Sequence, residues 1–273
     1  MKHINMMGCL VGISLLLLVH VAGCSRSDVI ASMKLDATWS RLDSKGPLPA
    51  VGWVRGQSDV IHIYIEGDGV AYSTPTSPSL DPTPITPTAL LLARMDDASA
   101  VAYVGRPCQY VFEDVCTKKC WTSGRFSQTV LQTENSLVDA AKKTTGAKRV
   151  VLIGFSGGGT VAALLAERRA DVTALITVCG NLDHAVWTTM HGITPLYESL
   201  NPTDHTDRLS SLPQVHFLGE TDTNVNRKVT DAFVSRLSPD APVTIRIVPG
   251  LAHGGKAWAK AWPELLYQLR LDN

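Results

Sequence analysis

The sequence carries no surplus of either charge, since 25 lysines and arginines stand against 25 aspartates and glutamates. Nothing in so balanced a charge suggests nucleic acid or a polyanionic substrate. No histidine falls at ligand spacing from the cysteines of the central region, so the usual zinc patterns are missing and no metal is called for. The glycines of residues 154–159 lack the lysine of a P-loop, which makes a phosphate cradle the weaker use for them. No internal repeat is evident. The apolar run that begins at Leu10 is too short for a comfortable membrane span.

What is present suffices for a real core, because 45% of the 273 residues are hydrophobic, and the length suits one α/β domain. The stretch from Lys148 to Ala166 organises the rest. Val150 to Ile153 is an unbroken β-branched and aliphatic run, as expected of a central parallel strand covered on both faces. Ala162 to Ala166 are strong helix formers. Between them Gly154, Phe155, Ser156, Gly157 and Gly158 form a G-x-S-x-G turn, which holds a serine in strained geometry where strand meets helix. About 0.12 chance matches to that pattern are expected in a chain of this composition, so the flanking strand and helix carry the reading.

Further strand-like runs lie at 48–55, 58–66, 98–104, 172–178, 214–218 and 243–248, with helical patterns at 88–95, 128–143, 226–237 and 256–271. This alternation predicts a mostly parallel, doubly wound sheet. Residues 73–88 hold five prolines, which predicts an extended loop without regular structure. Residues 185–211 contain no clean strand but hold Trp187, Met190, His191, Leu196, Tyr197 and Leu200. They suit a small cap over the site, or equally a segment packed against the domain.

At the amino terminus Lys2 and His3 precede the apolar run, and small residues follow at a processing site. The segment Val21-Ala22-Gly23-Cys24 resembles the lipobox of bacterial lipoproteins, which implies cleavage after Gly23 and acylation of Cys24. The expected organisation is a signal peptide over 1–23, a tether over 24–45 and one domain over 46–273, held to a membrane by lipid and facing outside the cytoplasm. Ser25 lacks the aspartate that marks inner-membrane retention, which favours the outer membrane in a Gram-negative host. Cys108, Cys116, Cys120 and Cys179 remain for the exported domain. Export favours a disulfide from Cys108 to Cys116 or Cys120, worth about 2–3 kcal/mol for so short a ring.

A serine hydroxyl needs a base to take its proton and an acid to orient that base. In open α/β sheets such groups gather beyond the carboxyl ends of the strands. His253 follows the last strand in a glycine-flanked loop, just before the final helix. His62 and His216 lie within strands, His205 sits in a polar stretch, and His184 and His191 flank the expected cap. Asp222 follows the penultimate strand and is the expected acid, with Asp183 the alternative and Glu220 a third. The glycines ending the early strand, at Glu66-Gly67-Asp68-Gly69, are placed to offer backbone N–H groups to an oxyanion.

The order Ser156, Asp222, His253 resembles that of the α/β-hydrolases, over roughly residues 48–271. The chain is also similar to a group of little-characterised bacterial hydrolases that share Tyr64-Ile65-Glu66-Gly67-Asp68-Gly69, Arg106-Pro107-Cys108-Gln109-Tyr110, Trp121-Thr122, Arg125-Phe126 and Gly180-Asn181-Leu182-Asp183-His184. The resemblance implies Ser156, Asp222 and His253 as a triad. It also implies the Gly157 amide and one near Gly67 or Asp68 as oxyanion donors. Cys108 and Cys116 best match the group's paired cysteines, although Cys120 stands where an aromatic residue is expected. These readings imply an esterase-like enzyme acting on a small acyl substrate without a cofactor. The competing class is a lipoprotein of the same fold that uses the pocket to bind a ligand or envelope component.

Overall fold

The computed structural model describes residues 35–271. The signal segment 1–23, the Cys24 lipidation position and the tether as far as residue 34 lie outside the described residues. In chain order the strands of the main sheet are β1 (Ser40–Asp43), β2 (Val51–Gly56), β3 (Val60–Ile65), β6 (Ala100–Val104), β7 (Arg149–Phe155), β8 (Val172–Val178), β9 (Gln214–Gly219) and β10 (Val243–Val248). Between β3 and β6 come a two-stranded ribbon, β4 (Tyr72–Thr74) and β5 (Ser77–Pro78), and helix α1 (Thr88–Met95). The other helices are α2 (Gln128–Thr145), α3 (Gly157–Arg168), α4 (His184–His191), α5 (Arg227–Val234) and α6 (Lys256–Leu271).

The eight strands are ordered β1-β2-β6-β3-β7-β8-β9-β10. β1, β2 and β6 pair antiparallel and every other neighbour is parallel, so the sheet is mostly parallel and doubly wound, as expected. Alternation along the strands explains the two layers. Ile61, Ile63, Val150 and Leu152 face one cluster with the buried sides of α2, α3 and α5. Tyr64, Tyr103, Ile153 and Phe217 face a second with α1 and α6. α2 begins on the Ser127 side chain, which accepts from the Val130 N–H, and ends on Gly146 in the left-handed region at φ 72°. Its apolar spacing buries Val130, Leu131, Leu137, Val138 and Ala141. Trp258 and Trp262 of α6 are fully buried, and truncating either costs about 3–5 kcal/mol.

Three expectations need correction, and the segment 185–211 takes a definite form. Ser40–Asp43 pairs with Val51–Val54, so the sheet starts inside the segment read as tether, whose polar composition suits an edge strand with only Leu42 buried. The proline-rich segment is not wholly irregular, because Pro75 and Thr76 occupy the turn between β4 and β5 and leave a short ribbon on either side. Residues 185–211 form α4 and two single-turn 3₁₀ segments. α4 is pinned by Trp187 Nε1 and His191 Nε2 to the Asn224 carbonyl, at 3.1 and 2.7 Å. α5 stops at Val234, where the amides of Arg236 and Leu237 bond three residues back and tighten the last turn.

Candidate active site

The turn from β7 to α3 explains its own composition. Ser156 sits at φ 51°, a strained value for a residue with a Cβ. A Cβ on Gly154 would come within 2.4 Å of the Gly158 carbonyl, and one on Gly158 within 2.2 Å of the Ile65 carbonyl. Glycine is therefore what lets α3 close onto the ends of β7 and β3. The Ser156 carbonyl accepts from the amides of Gly159 and Asn181, at 2.9 and 3.0 Å, which fixes the elbow to the loop after β8.

His253 and Asp222 come from adjacent loops after β10 and β9, and those loops are bonded to each other. The Thr221 amide donates to the Leu251 carbonyl at 2.9 Å, and the Gly250 amide donates to Glu220 Oε2 at 2.8 Å. Glu220 thus holds the histidine loop. From below, Trp258 Nε1 of α6 donates to the Ala252 carbonyl at 2.7 Å. His253 Nε2 consequently lies 2.9 Å from Ser156 Oγ, and its Nδ1 lies 2.7 Å from Asp222 Oδ2. Asp222 Oδ1 accepts from the amides of Asn224 and Val225, at 2.8 and 3.0 Å. Burial alone would raise this carboxyl, but the His253 contact and the Val225 amide outweigh it and hold the group below its ordinary value.

Within the region carrying all three groups, residues 113–261 match the sequence profile of the dienelactone hydrolase family. The chain belongs to that family. No curated protein sequence matches it significantly. Among solved structures this dienelactone hydrolase family member is similar to Est1E from Butyrivibrio proteoclasticus, with TM-score 0.59 and 14% identity over 86% of this chain and 98% of that one. It is also similar to an alpha-beta serine hydrolase homologue from Coxiella burnetii, with TM-score 0.55 and 15% identity over 86% and 99%. A third is an α/β serine hydrolase without a lid from Xanthomonas campestris, with TM-score 0.51 and 13% identity over 86% and 96%. These likenesses establish the α/β-hydrolase fold.

The other expected residues divide clearly. Asp183 caps α4, with Oδ1 accepting from Ala185, Val186 and the Asn201 side chain. The alternative acid is therefore committed to a helix N-terminus, while His253 is bonded to Asp222. The Gly67 amide donates to Glu66 Oε1 at 2.9 Å, which takes it away from an oxyanion. The amides of Asp68 and Gly157 have no acceptor among the described residues. Cys108 and Cys116 form the disulfide, and Cys120 is a free, half-buried thiol.

Three features escaped the sequence reading. Asp68, expected only as an amide donor, has its carboxylate between Arg106 and Arg125, at 3.1 and 2.7 Å. Burial raises this group, but the two guanidiniums outweigh it and hold it below its usual value. Glu66 is fully buried at the cleft floor, and desolvation lifts it to about 7. Cys179 lies behind Asp222, and burial followed by that carboxylate pushes its thiol far up. Its Sγ could join Asp222 and His253 around a metal ion. Asp222 and His253 are themselves hydrogen-bonded at 2.7 Å, the contact made by an acid–base pair. No sequence signal singles out Cys179. A cleft of about 720 Å³ opens over Ser156 and His253, bordered by Tyr72, Ile85, Arg125 and Trp187.

Proposed function

We propose that this chain is a serine hydrolase that cleaves an ester or related acyl bond. The observation that carries the reading is His253 bridging Ser156 and Asp222 at hydrogen-bond distance on both ring nitrogens. Nε2 takes the Ser156 proton as Oγ attacks the carbonyl carbon, and the carbonyl oxygen becomes an oxyanion. The amides of Gly157 and Asp68 are the donors open to it, each typically worth about 2.7–4 kcal/mol of the barrier. The tetrahedral intermediate collapses, and the leaving oxygen departs with the proton carried by His253. Water then attacks the acyl-Ser156 ester with His253 again as base, releasing the acid and restoring the serine. Asp222, fully buried and anionic, stabilises the imidazolium formed in each half-reaction.

A fluorophosphonate probe tests the assignment. Covalent labelling of the wild type that disappears in Ser156→Ala is expected, and equal labelling of both would refute it. The reading extends to location. The Cys24 motif supports attachment by N-terminal lipid outside the cytoplasm, in the outer membrane of a Gram-negative host, and the Cys108–Cys116 disulfide suits an oxidising compartment. Cys24→Ser should release the protein from membrane fractions and abolish globomycin-sensitive processing; unchanged soluble export of the wild type would refute the anchor.

A further inference from the structure

The cleft over Ser156 has a second branch. A cavity of about 590 Å³ shares Tyr72, Arg125 and Trp187 with the cleft and continues past them to Pro75, Ile193 and Leu196. One wall is the β4–β5 ribbon and the other is the chain leaving α4. That wall is set before any ligand arrives, because Trp187 Nε1 is bonded to Asn224 and its ring lies 5.3 Å from that of His191. The disulfide from Cys108 to Cys116 fastens a neighbouring cluster that includes Ala71 and Trp121, and Trp121 Nε1 donates to the Ser79 carbonyl just beyond the ribbon. Both walls are thus anchored to the body of the domain.

The chemistry of the reaction decides which half of a substrate enters this branch. His253 must hand its proton to the leaving oxygen, so the leaving group lies on the side of the histidine loop. Gly254, Gly255 and Lys256 line the main cleft there, and none of them lines the second branch. The acyl part, directed away from His253, has the second branch open to it. Its aromatic and aliphatic walls suit an aryl ring on a short chain, and its volume falls in the range of small-molecule pockets.

We infer that the branch between the β4–β5 ribbon and the end of α4 is an acyl-binding subsite that selects esters of bulky, aryl-bearing acids; the inference rests on the serine hydrolase reading. The test uses the full chain and three esters: para-nitrophenyl acetate, para-nitrophenyl phenylpropanoate and naphthyl acetate. Ile193→Trp and Thr76→Trp fill the branch from opposite walls at exposed positions. Each should lower kcat/KM for the phenylpropanoate by about tenfold while both acetates stay within about twofold, which also reports an intact fold. A fall shared equally by all three esters, or none with the phenylpropanoate, overturns the subsite. A fall confined to naphthyl acetate overturns the acyl assignment. Acetate hydrolysis by the wild type with either of these results leaves the hydrolase reading standing, whereas a wild type that turns over no ester and takes no fluorophosphonate overturns both.

Discussion

Glu66 offers a quantitative test of how the site is built. Its carboxyl is about 1% exposed at the end of β3, and Oε1 accepts from the amides of Gly67 and Ala89, at 2.9 and 3.4 Å. Desolvation dominates and lifts the group from 4.5 to about 7. Below pH 4.5 both folded and unfolded chains hold the proton, and the group adds no pH-dependent penalty. As pH rises through 4.5 the unfolded chain ionises first, so the folded state loses relative stability until the buried group also ionises near 7. A gap of this size corresponds to about 3 kcal/mol at 1.36 kcal/mol per unit. Glu66→Gln keeps an acceptor for both amides and removes the titration. Urea denaturation of the two proteins across pH 4 to 9 should show the variant gaining on the wild type by about 3 kcal/mol, with the rise confined between 4.5 and 7. A difference that stays flat with pH would refute the reasoning, as would a gain on acidification.

Other outcomes follow from individual contacts. Asp222→Asn should cut kcat by about 10⁴-fold through loss of the correct His253 tautomer. Asp183→Asn should leave kcat near wild type and, because an asparagine oxygen caps about as well, shift stability by only a few tenths of a kcal/mol; the opposite pattern in steady-state assays would reassign the acid. Replacing Cys108 and Cys116 together by serine should lower unfolding free energy by about 2–3 kcal/mol, read by denaturation without reductant. Gly154→Ala should be severely destabilising, since its Cβ would meet backbone at 2.4 Å from Gly158 O, and a normal melting temperature would contradict the packing of α3 on β7.

The sheet was legible because parallel strands covered on both faces are written as apolar runs, as at Val150–Ile153 and Val172–Val178. The elbow and its histidine were legible because glycines mark places where backbone must approach backbone. β1 was not, since Ser40–Asp43 buries only Leu42 and an edge strand with one inward residue has no period to detect. The short ribbon was hidden because two strands joined at Pro75-Thr76 have fewer residues than any pattern window. Between Asp183 and Asp222 the sequence offered two acids after two strands, and only the Asn201 side chain and the α4 amides show why one is a cap. The ion pairs of Asp68 with Arg106 and Arg125 span separations of 38 and 57 residues, which no local pattern encodes.

The position of β10 has a consequence for how the protein fails. β10 closes one edge of the sheet, none of its residues is fully buried, and Ile247 is 47% exposed. His253 hangs from the end of that strand, whereas Ser156 follows the central β7. The free energy needed to peel an edge strand is smaller than that of unfolding the whole chain. Opening there carries away the base while leaving the serine in place. Loss of turnover should therefore precede loss of secondary structure on heating or in urea, and the amides of β10 should exchange hydrogen before those of β7. The chemistry is wired to an edge unit of the sheet, so stability of the whole is a poor guide to the lifetime of the active form.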